Sequence, residues 1–275
     1  MNNDNLVLGK STSYDNDYAP SRLQRIERSL GRSQIKDLTT FFGYDIWHLY
    51  EMTYLNLQGL PCVAMAVLKI PADSKYIVES KSLKLYELSF TMTRFASLDE
   101  VKAVFLRDLS RLLECAVLGD FYPLKNTEFK LSDLSGICLE ELDECKALTF
   151  KSYNYAPDLL KIEDDKKQVS KTYHTNLFRS LCPVTAQPDH ASIEIEYEGK
   201  KPSVTGLLGY LVSLRNHQGF HEQCVELIYS DLMTYLKPEK LTIRAYFTRR
   251  GGIDINPVRS NSKNVALTNK RTIRQ

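Results

Sequence analysis

Hydrophobic and polar positions along the chain alternate, then recur at helical spacing, then alternate again, and this order runs twice. In residues 44–56, Ile46, His48, Tyr50, Met52 and Tyr54 take every second position, which predicts a half-buried strand. Gly59 and Pro61 end it. Residues 62–70 are a nearly continuous apolar run between Pro61 and Pro71 and predict a second strand. The stretch Glu79-Ser80-Lys81-Ser82-Leu83-Lys84-Leu85-Tyr86 predicts the opening of a helix. Ser97-Leu98-Asp99-Glu100 has the Ser-x-x-Glu form of a capping box, so a helix is expected there with Leu98, Val101, Phe105, Leu109 and Leu112 on its buried face. Residues 129–139 and 146–155 read as strands, and the mixed charge run 161–167 as a solvated loop.

In the second half, residues 192–198 alternate strictly, with Ile193, Ile195 and Tyr197 on one side and Glu194, Glu196 and Glu198 on the other. That pattern predicts a strand with one wet face. Helices are expected over 204–215 and 221–236, the latter with Val225, Ile228, Leu232 and Leu236 in one stripe. Leu241, Ile243, Ala245 and Phe247, alternating with Thr242, Arg244, Tyr246 and Thr248, predict a closing strand. Both halves therefore read as strands, two helices, then strands. Residues 89–113 and 213–236 also share Ser, Phe, Val and Asp-Leu positions, which makes a duplicated unit of about 120 residues the economical reading. The class is α+β, with a first module over 43–140 and a second over 141–275. Residues 1–42 are polar and carry Arg22, Arg25, Arg28 and Arg32 at helix-like spacing; they read as a loosely packed arm.

Composition narrows the function. The chain has 275 residues, 43% of them hydrophobic, enough for well-filled cores. Its 36 basic and 34 acidic residues leave a net charge of +2, so the electrostatic footprint of a dedicated nucleic-acid or membrane-surface binder is missing and a small-molecule substrate is expected. Six cysteines, at 62, 115, 138, 145, 182 and 224, form neither a C-x-x-C pair nor a zinc-type run. No apolar run approaches the roughly 20 residues of a membrane span, and the opening Met1-Asn2-Asn3-Asp4-Asn5 lacks a secretory pattern. A soluble, cytoplasmic, reduced protein follows as the expectation.

The stretch Ser180-Leu181-Cys182-Pro183-Val184-Thr185-Ala186-Gln187-Pro188-Asp189-His190 places a thiol and a carboxylate on one loop bracketed by two prolines. Each proline fixes its own φ and biases the residue before it, here Cys182 and Gln187, toward extended backbone. A thiol so presented can act as a nucleophile if it is accessible, and a nearby carboxylic acid can supply the proton of an addition. Equally, Cys182 can be a small buried core residue and Asp189 a turn former. Neither a dinucleotide G-x-G-x-x-G nor a Walker A lysine motif appears, and His221-Glu222 lacks the second histidine of a zinc-protease helix.

The loop S-x-C-x-V-T-x-Q-P-D resembles the catalytic signature of the NADPH-dependent nitrile reductases of queuosine biosynthesis, the QueF family. Three further stretches resemble that family's hallmarks in order: residues 79–86 above, Phe220-His221-Glu222-Gln223, and Thr248-Arg249-Arg250-Gly251-Gly252-Ile253-Asp254-Ile255-Asn256-Pro257. The opening Leu8-Gly9-Lys10 with Tyr14, Tyr18 and Pro20 is similar to the long, two-module form. The resemblance implies tandem tunnelling-fold (T-fold) modules, each an antiparallel sheet with a helix pair, assembled between subunits into a barrel, hence a homodimer at least. It implies Cys182 as the nucleophile that forms a thioimide with 7-cyano-7-deazaguanine and Asp189 as the proton donor. It also implies Val78, Glu79, Ser80, His221 and Glu222 around the substrate, Ser80, Lys81, Arg250 and Gly251 around NADPH, and no metal.

The sequence departs from the family pattern at Leu181, His190, Leu88 and Val258, none of which removes a catalytic group; His190 puts the environment of Asp189 in question. Each implied site residue also has a structural alternative. Glu79 and Glu222 suit the positive end of a helix, Lys81 a solvated surface, and residues 249–252 a basic turn. Two other function classes stand beside the reductase. One is a zinc-dependent pterin or purine hydrolase of the GTP cyclohydrolase I type, which would use Cys182 and a histidine but lacks a clustered His/Cys triad. The other is a tRNA-binding module built on the basic tail that includes Arg244, Arg249, Arg250, Arg259, Lys263, Lys270, Arg271 and Arg274.

Overall fold

The computed structural model describes residues 14–15, 17–125, 131–266, 268 and 270–275. They form two compact units, each drawn from separate stretches of chain: one from Met1–Leu30, Tyr44–Phe129 and Arg249–Ile255, the other from Gly31–Gly43, Lys130–Thr248 and Asn256–Gln275. Leu8-Gly9-Lys10 lies outside the described residues. In chain order the elements are β1 (Arg25–Glu27), α1 (Arg28–Arg32), β2 (Phe42–Leu55), β3 (Pro61–Pro71), β4 (Tyr76–Val78), α2 (Ser80–Leu88), α3 (Leu98–Leu113) and β5 (Leu118–Pro123). There follow β6 (Ile137–Cys138), α4 (Asp143–Lys146), β7 (Ile162–Leu181), β8 (Pro188–Pro202), α5 (Val204–Ser213), α6 (His221–Leu236), β9 (Lys240–Phe247) and β10 (Ile253–Ser260). The chain is thus α+β with antiparallel pairing among its long strands.

In the first unit β2 pairs with β3, Tyr44 opposite Pro71 and Leu55 opposite Pro61, and β5 lines the other edge of β3. Alternation over 44–56 therefore does report a strand. Ser97 caps α3 by accepting from the Glu100 N–H at 3.2 Å, while the Glu100 carboxylate accepts from the Ala96 N–H at 2.7 Å. Val101, Phe105 and Leu109 are buried as their spacing predicts; the stripe ends on Leu113, with Leu98 and Leu112 only half-buried. Behind them Tyr86, Phe90, Phe95 and Phe105 fill the core, Phe90 stacked on Phe95 at 5.2 Å between ring centres. Burial on this scale is worth about 1.5–3 kcal/mol per large side chain.

In the second unit β8 lies between β7 and β9, and β10 follows β9. The inward side chains Ile193, Ile195, Tyr197, Leu241, Ile243, Ala245 and Phe247 pack with Leu207, Leu211, Val225, Ile228 and Leu232 of α5 and α6. Expected and observed helices here coincide, except that α5 gives way at Leu214–Asn216 to a tighter turn.

Five expectations need correction. Of 129–139, only Ile137–Cys138 is a strand among the described residues, because Gly136 turns the chain at φ +81°. Residues 146–155 form no strand: Phe150 and Tyr153 stack on each other and Tyr155 bonds Asp231, so these aromatics anchor a loop. The charge run 161–167 is solvated but lies in β7, a ribbon paired with β8 and wet on both faces. Glu194 is buried on the side expected to be wet, where Lys270 Nζ at 2.9 Å and the Ser135 N–H at 2.9 Å compensate it. Nor does β9 close the chain, since β10 follows with every residue buried.

The described part of residues 1–42 is not loosely packed. Of Arg22, Arg25, Arg28 and Arg32, only Arg28 and Arg32 share a helix, the short α1. Arg28 pairs with buried Asp45 at 2.5 Å, and Arg32 Nη2 reaches Glu226 Oε1 at 2.8 Å. Glu226, 2% exposed, also accepts from Arg259, 0% exposed, at 2.8 Å. Replacing Glu226 by alanine leaves the Arg259 charge buried without this partner, and unfolding in denaturant should show a loss of about 3–5 kcal/mol. Arg32→Ala, on a half-exposed partner, should cost clearly less.

Candidate active site

Strands β7 and β8 form a hairpin in which Ser180 faces Asp189 and Leu181 faces Pro188. The six-residue loop closes through the Cys182 N–H donating to Gln187 O at 2.9 Å and the Ala186 N–H donating to Cys182 O at 2.9 Å, with Ala186 at φ +56°. The proline-bracketed rigidity read from the sequence is thus reinforced by hydrogen bonds across the loop. Beneath it the Leu181 N–H donates to His217 O at 2.8 Å, and the Gly219 N–H donates to Leu181 O at 3.1 Å. These bonds fasten the hairpin to the segment that leads into α6.

Of the two readings of Cys182, its placement is the buried one: it is 7% exposed, and Asp189 is buried too. The loop turns back on itself, which narrows access to both. The first residue of α6, His221, places Nε2 3.6 Å from Asp189 Oδ2, and its ring lies 3.9 Å from the Phe247 ring centre. Glu222 follows in the first helical turn, buried, where the helix dipole favours a carboxylate. The second unit thereby gathers Asp189, His221 and Glu222 beside the loop that carries Cys182. His190 is exposed and opposite Arg179, on the other side of the strand from Asp189. Leu181 contributes through its backbone, so its side-chain identity does not govern the anchor.

Four of the other five thiols are pushed above their ordinary range. Cys224 is fully buried one turn into α6, and burial pushes its thiol up to about 12. Burial, with Glu140 and Glu141 beside it, takes Cys138 up to about 11, and burial also raises Cys115 and Cys145. All six cysteines are free thiols.

In the first unit Glu79 is the N-cap of α2. Its Oε1 accepts from the Lys81 N–H at 2.8 Å and its Oε2 from the Ser82 N–H at 2.7 Å. Burial raises its carboxyl, and those two amides and the Lys81 charge pull it part of the way back. The helix-start role weighed for Glu79 is therefore real. Val78 is buried just before it, Ser80 is exposed and Lys81 half-buried. The turn after β9 brings residues 249–252 over the same helix: Gly251 has φ +59°, and a Cβ there would collide with Lys84 Nζ. The Arg250 N–H donates to Ile253 O at 2.9 Å, and Arg249 lies 4.8 Å above the Tyr50 ring. Lys84, one turn beyond Lys81, was not singled out from the sequence, although its i+3 spacing within the motif was there to read.

This end of the first unit suits a phosphate-bearing cofactor. Lys81, Lys84, Arg249 and Arg250 supply cations, and Gly251 presents exposed backbone without a side chain. The amides of Lys81 and Ser82 are already engaged by Glu79, so a phosphate would rest on the side chains. Among the described residues no three His, Cys, Asp or Glu side chains gather as a metal ion requires.

An α+β fold with a thiol and carboxyl on one hairpin and a cationic helix start defines a class, and two family models agree on it. One, described as "Nitrile reductase, 7-cyano-7-deazaguanine-reductase N-term", matches residues 14–120; the other, "QueF-like protein", matches 188–266. Val78, Glu79, Ser80 and Lys81 fall in the first match and Asp189, His221, Glu222, Arg250 and Gly251 in the second, with Cys182 just ahead of it. Relatives named "NADPH-dependent 7-cyano-7-deazaguanine reductase" from Burkholderia multivorans, Burkholderia thailandensis and Burkholderia ambifaria are each 43% identical over 278 aligned residues, covering 100% of this chain and 100% of the relative. The chain belongs to the QueF family of NADPH-dependent 7-cyano-7-deazaguanine reductases.

Because Glu79 caps α2 with both oxygens, Glu79→Ala should cost about 1–2 kcal/mol in denaturant unfolding. Glu79→Gln, which keeps one acceptor oxygen, should lose less than half of that.

Proposed function

We propose that this protein reduces the nitrile of 7-cyano-7-deazaguanine to an aminomethyl group, consuming two NADPH, in queuosine biosynthesis for tRNA modification. The observation that carries the reading is the full-length 43% identity to reductases of that name. Cys182 Sγ adds to the nitrile carbon while Asp189 delivers a proton to the nitrile nitrogen, which leaves a thioimide on the sulfur. NADPH, when bound, supplies hydride. The carbon accepts one hydride and expels the thiol to leave an imine; a second hydride and protons complete the amine. Covalent attachment splits one hard reduction into easier steps and retains the reactive imine.

Glu79 and Glu222 accept hydrogen bonds from the N–H donors of the guanine-like ring, with Val78, Ser80 and His221 beside it. A carboxylate has about four lone-pair sites, so capping a helix with one bond per oxygen leaves Glu79 able to accept more. His221, within 3.6 Å of Asp189, orients that carboxyl. Ser80, Lys81, Arg250 and Gly251 hold NADPH through the cations and open backbone described above. The chain divides into an arm over 1–42 and T-fold modules over 43–140 and 141–275, which assemble between subunits into a barrel, at least a homodimer. It works in the cytoplasm without nucleic acid or membrane as partner. The zinc hydrolase alternative is not favoured, because the relatives carry the reductase name and no three-donor group is gathered among the described residues.

Mixing the protein with 7-cyano-7-deazaguanine alone should give a covalent mass increase equal to the substrate. Cys182→Ala should give none, and Asp189→Ala should form the adduct about 10²–10⁴-fold more slowly. Stoichiometric zinc, with activity lost to a chelator, would overturn the assignment.

A further inference from the structure

Glu87 is an acid in a place where an acid is costly. It lies on α2 one turn beyond Lys84, it is 2% exposed, and its Oε1 has no hydrogen-bond partner. A buried carboxylate without partners is expensive, so such a group stays protonated or has a task. Its surroundings suggest the task. The charged groups acting on it are Glu51 from β2 and Lys84 from its own helix. Both reach the underside of the same turn, for a Cβ on Gly251 would meet Lys84 Nζ and one on Gly252 would lie 2.5 Å from the Glu51 carboxyl carbon. That turn also brings Arg249 and Arg250, the cations proposed above for the cofactor.

We propose that Glu87 is a positioning residue for the Lys84 ammonium beneath the Gly251–Gly252 turn: neutral, it leaves Lys84 to a phosphate-bearing ligand, and ionised, it draws Lys84 back. The inference rests on the NADPH reading of this turn. Burial first, then Glu51, raises the Glu87 carboxyl to about 8, with Lys84 opposing. The neutral form therefore prevails at neutral pH and the anion appears as the medium turns alkaline. An anion at Glu87 pairs with Lys84 at i+3 spacing and repels phosphate, so the two effects have one sign.

The test is NADP⁺ binding by calorimetry at pH 7 and pH 9, beside infrared difference spectra across the same range. Wild type should lose a protonated-carboxyl band near pH 8, and its Kd for NADP⁺ should weaken by about threefold more than that of Glu87→Gln or Glu87→Leu, the scale of one exposed charge contact. Both variants should lack the band, and thermal melts confirm that at least one is folded. Equal pH slopes in wild type and a folded variant, an absent band, or no NADP⁺ binding would overturn the role of Glu87. Failure of Cys182 to form its adduct, with NADP⁺ binding and its proton linkage intact, would remove the catalytic reading and leave Glu87 standing.

Discussion

The second unit is organised around one buried carboxylate, Glu226, which lies between the guanidiniums of Arg259 and Arg32. A charge that far from water is tolerable only among opposite charges and donors, so the three side chains fix one another's elements: α6, β10 and the end of α1. Phe41 completes the arrangement, its ring centre 5.2 Å from both guanidinium carbons. Gln223 adds a hydrogen bond to Gly31 O, and Tyr229 one to Thr40 O. The helix held in this way is the one that begins with His221 and Glu222. Its seating therefore sets where those two side chains point relative to the Cys182 hairpin, a link from core electrostatics to the chemistry.

Helix starts carry much of the candidate site, and they do so differently. Ser97 and Ser203 cap α3 and α5 with short hydroxyls, the usual solution for orphan amides. At α2 the cap is Glu79, whose longer side chain spends both oxygens on amides and stays buried. At α6 the cap residue is Phe220, which offers no side-chain acceptor, so the positive end is met by Glu222 in the first turn. The two carboxylates proposed for the substrate thus both stand at starts that lack a short polar cap, as does that of α4 after Leu142. At these positions the structural role and the proposed one are compatible.

Much of this was legible in the sequence because it depends on local periodicity. Alternation located β2, β8 and β9, and i, i+3, i+4 spacing located α3, α5 and α6 with little error at the ends. The four motifs place the candidate site residues along the chain. What was not legible depends on partners distant in sequence. β10 reads Ile-Asp-Ile-Asn-Pro-Val-Arg-Ser, and its polar residues are buried because Asp254 meets His48 and Tyr50, and Arg259 meets Glu226. A polar residue that is buried looks exposed to any pattern rule. Arg28 and Arg32 looked like a surface stripe for the same reason, and Glu194 looked wet until Lys270 was seen to reach it.

Environment separates Cys182, the proposed nucleophile, from Cys224 more than residue type does. Cys224 is the instructive contrast, since it sits on α6 close to the same hairpin, yet its sulfur donates to Gly219 O at 3.7 Å inside a sealed core. Burial without a stabilising charge penalises the thiolate and closes the approach of an electrophile, so proximity alone does not make a nucleophile. Cys182 differs in being held by its own backbone. Its N–H and C=O are both used within the loop, which fixes its backbone beside the returning strand that carries Asp189, and 7% of the residue is exposed. A hairpin loop can hold a residue by its own backbone, whereas a helix interior such as that around Cys224 holds it by packing on every side.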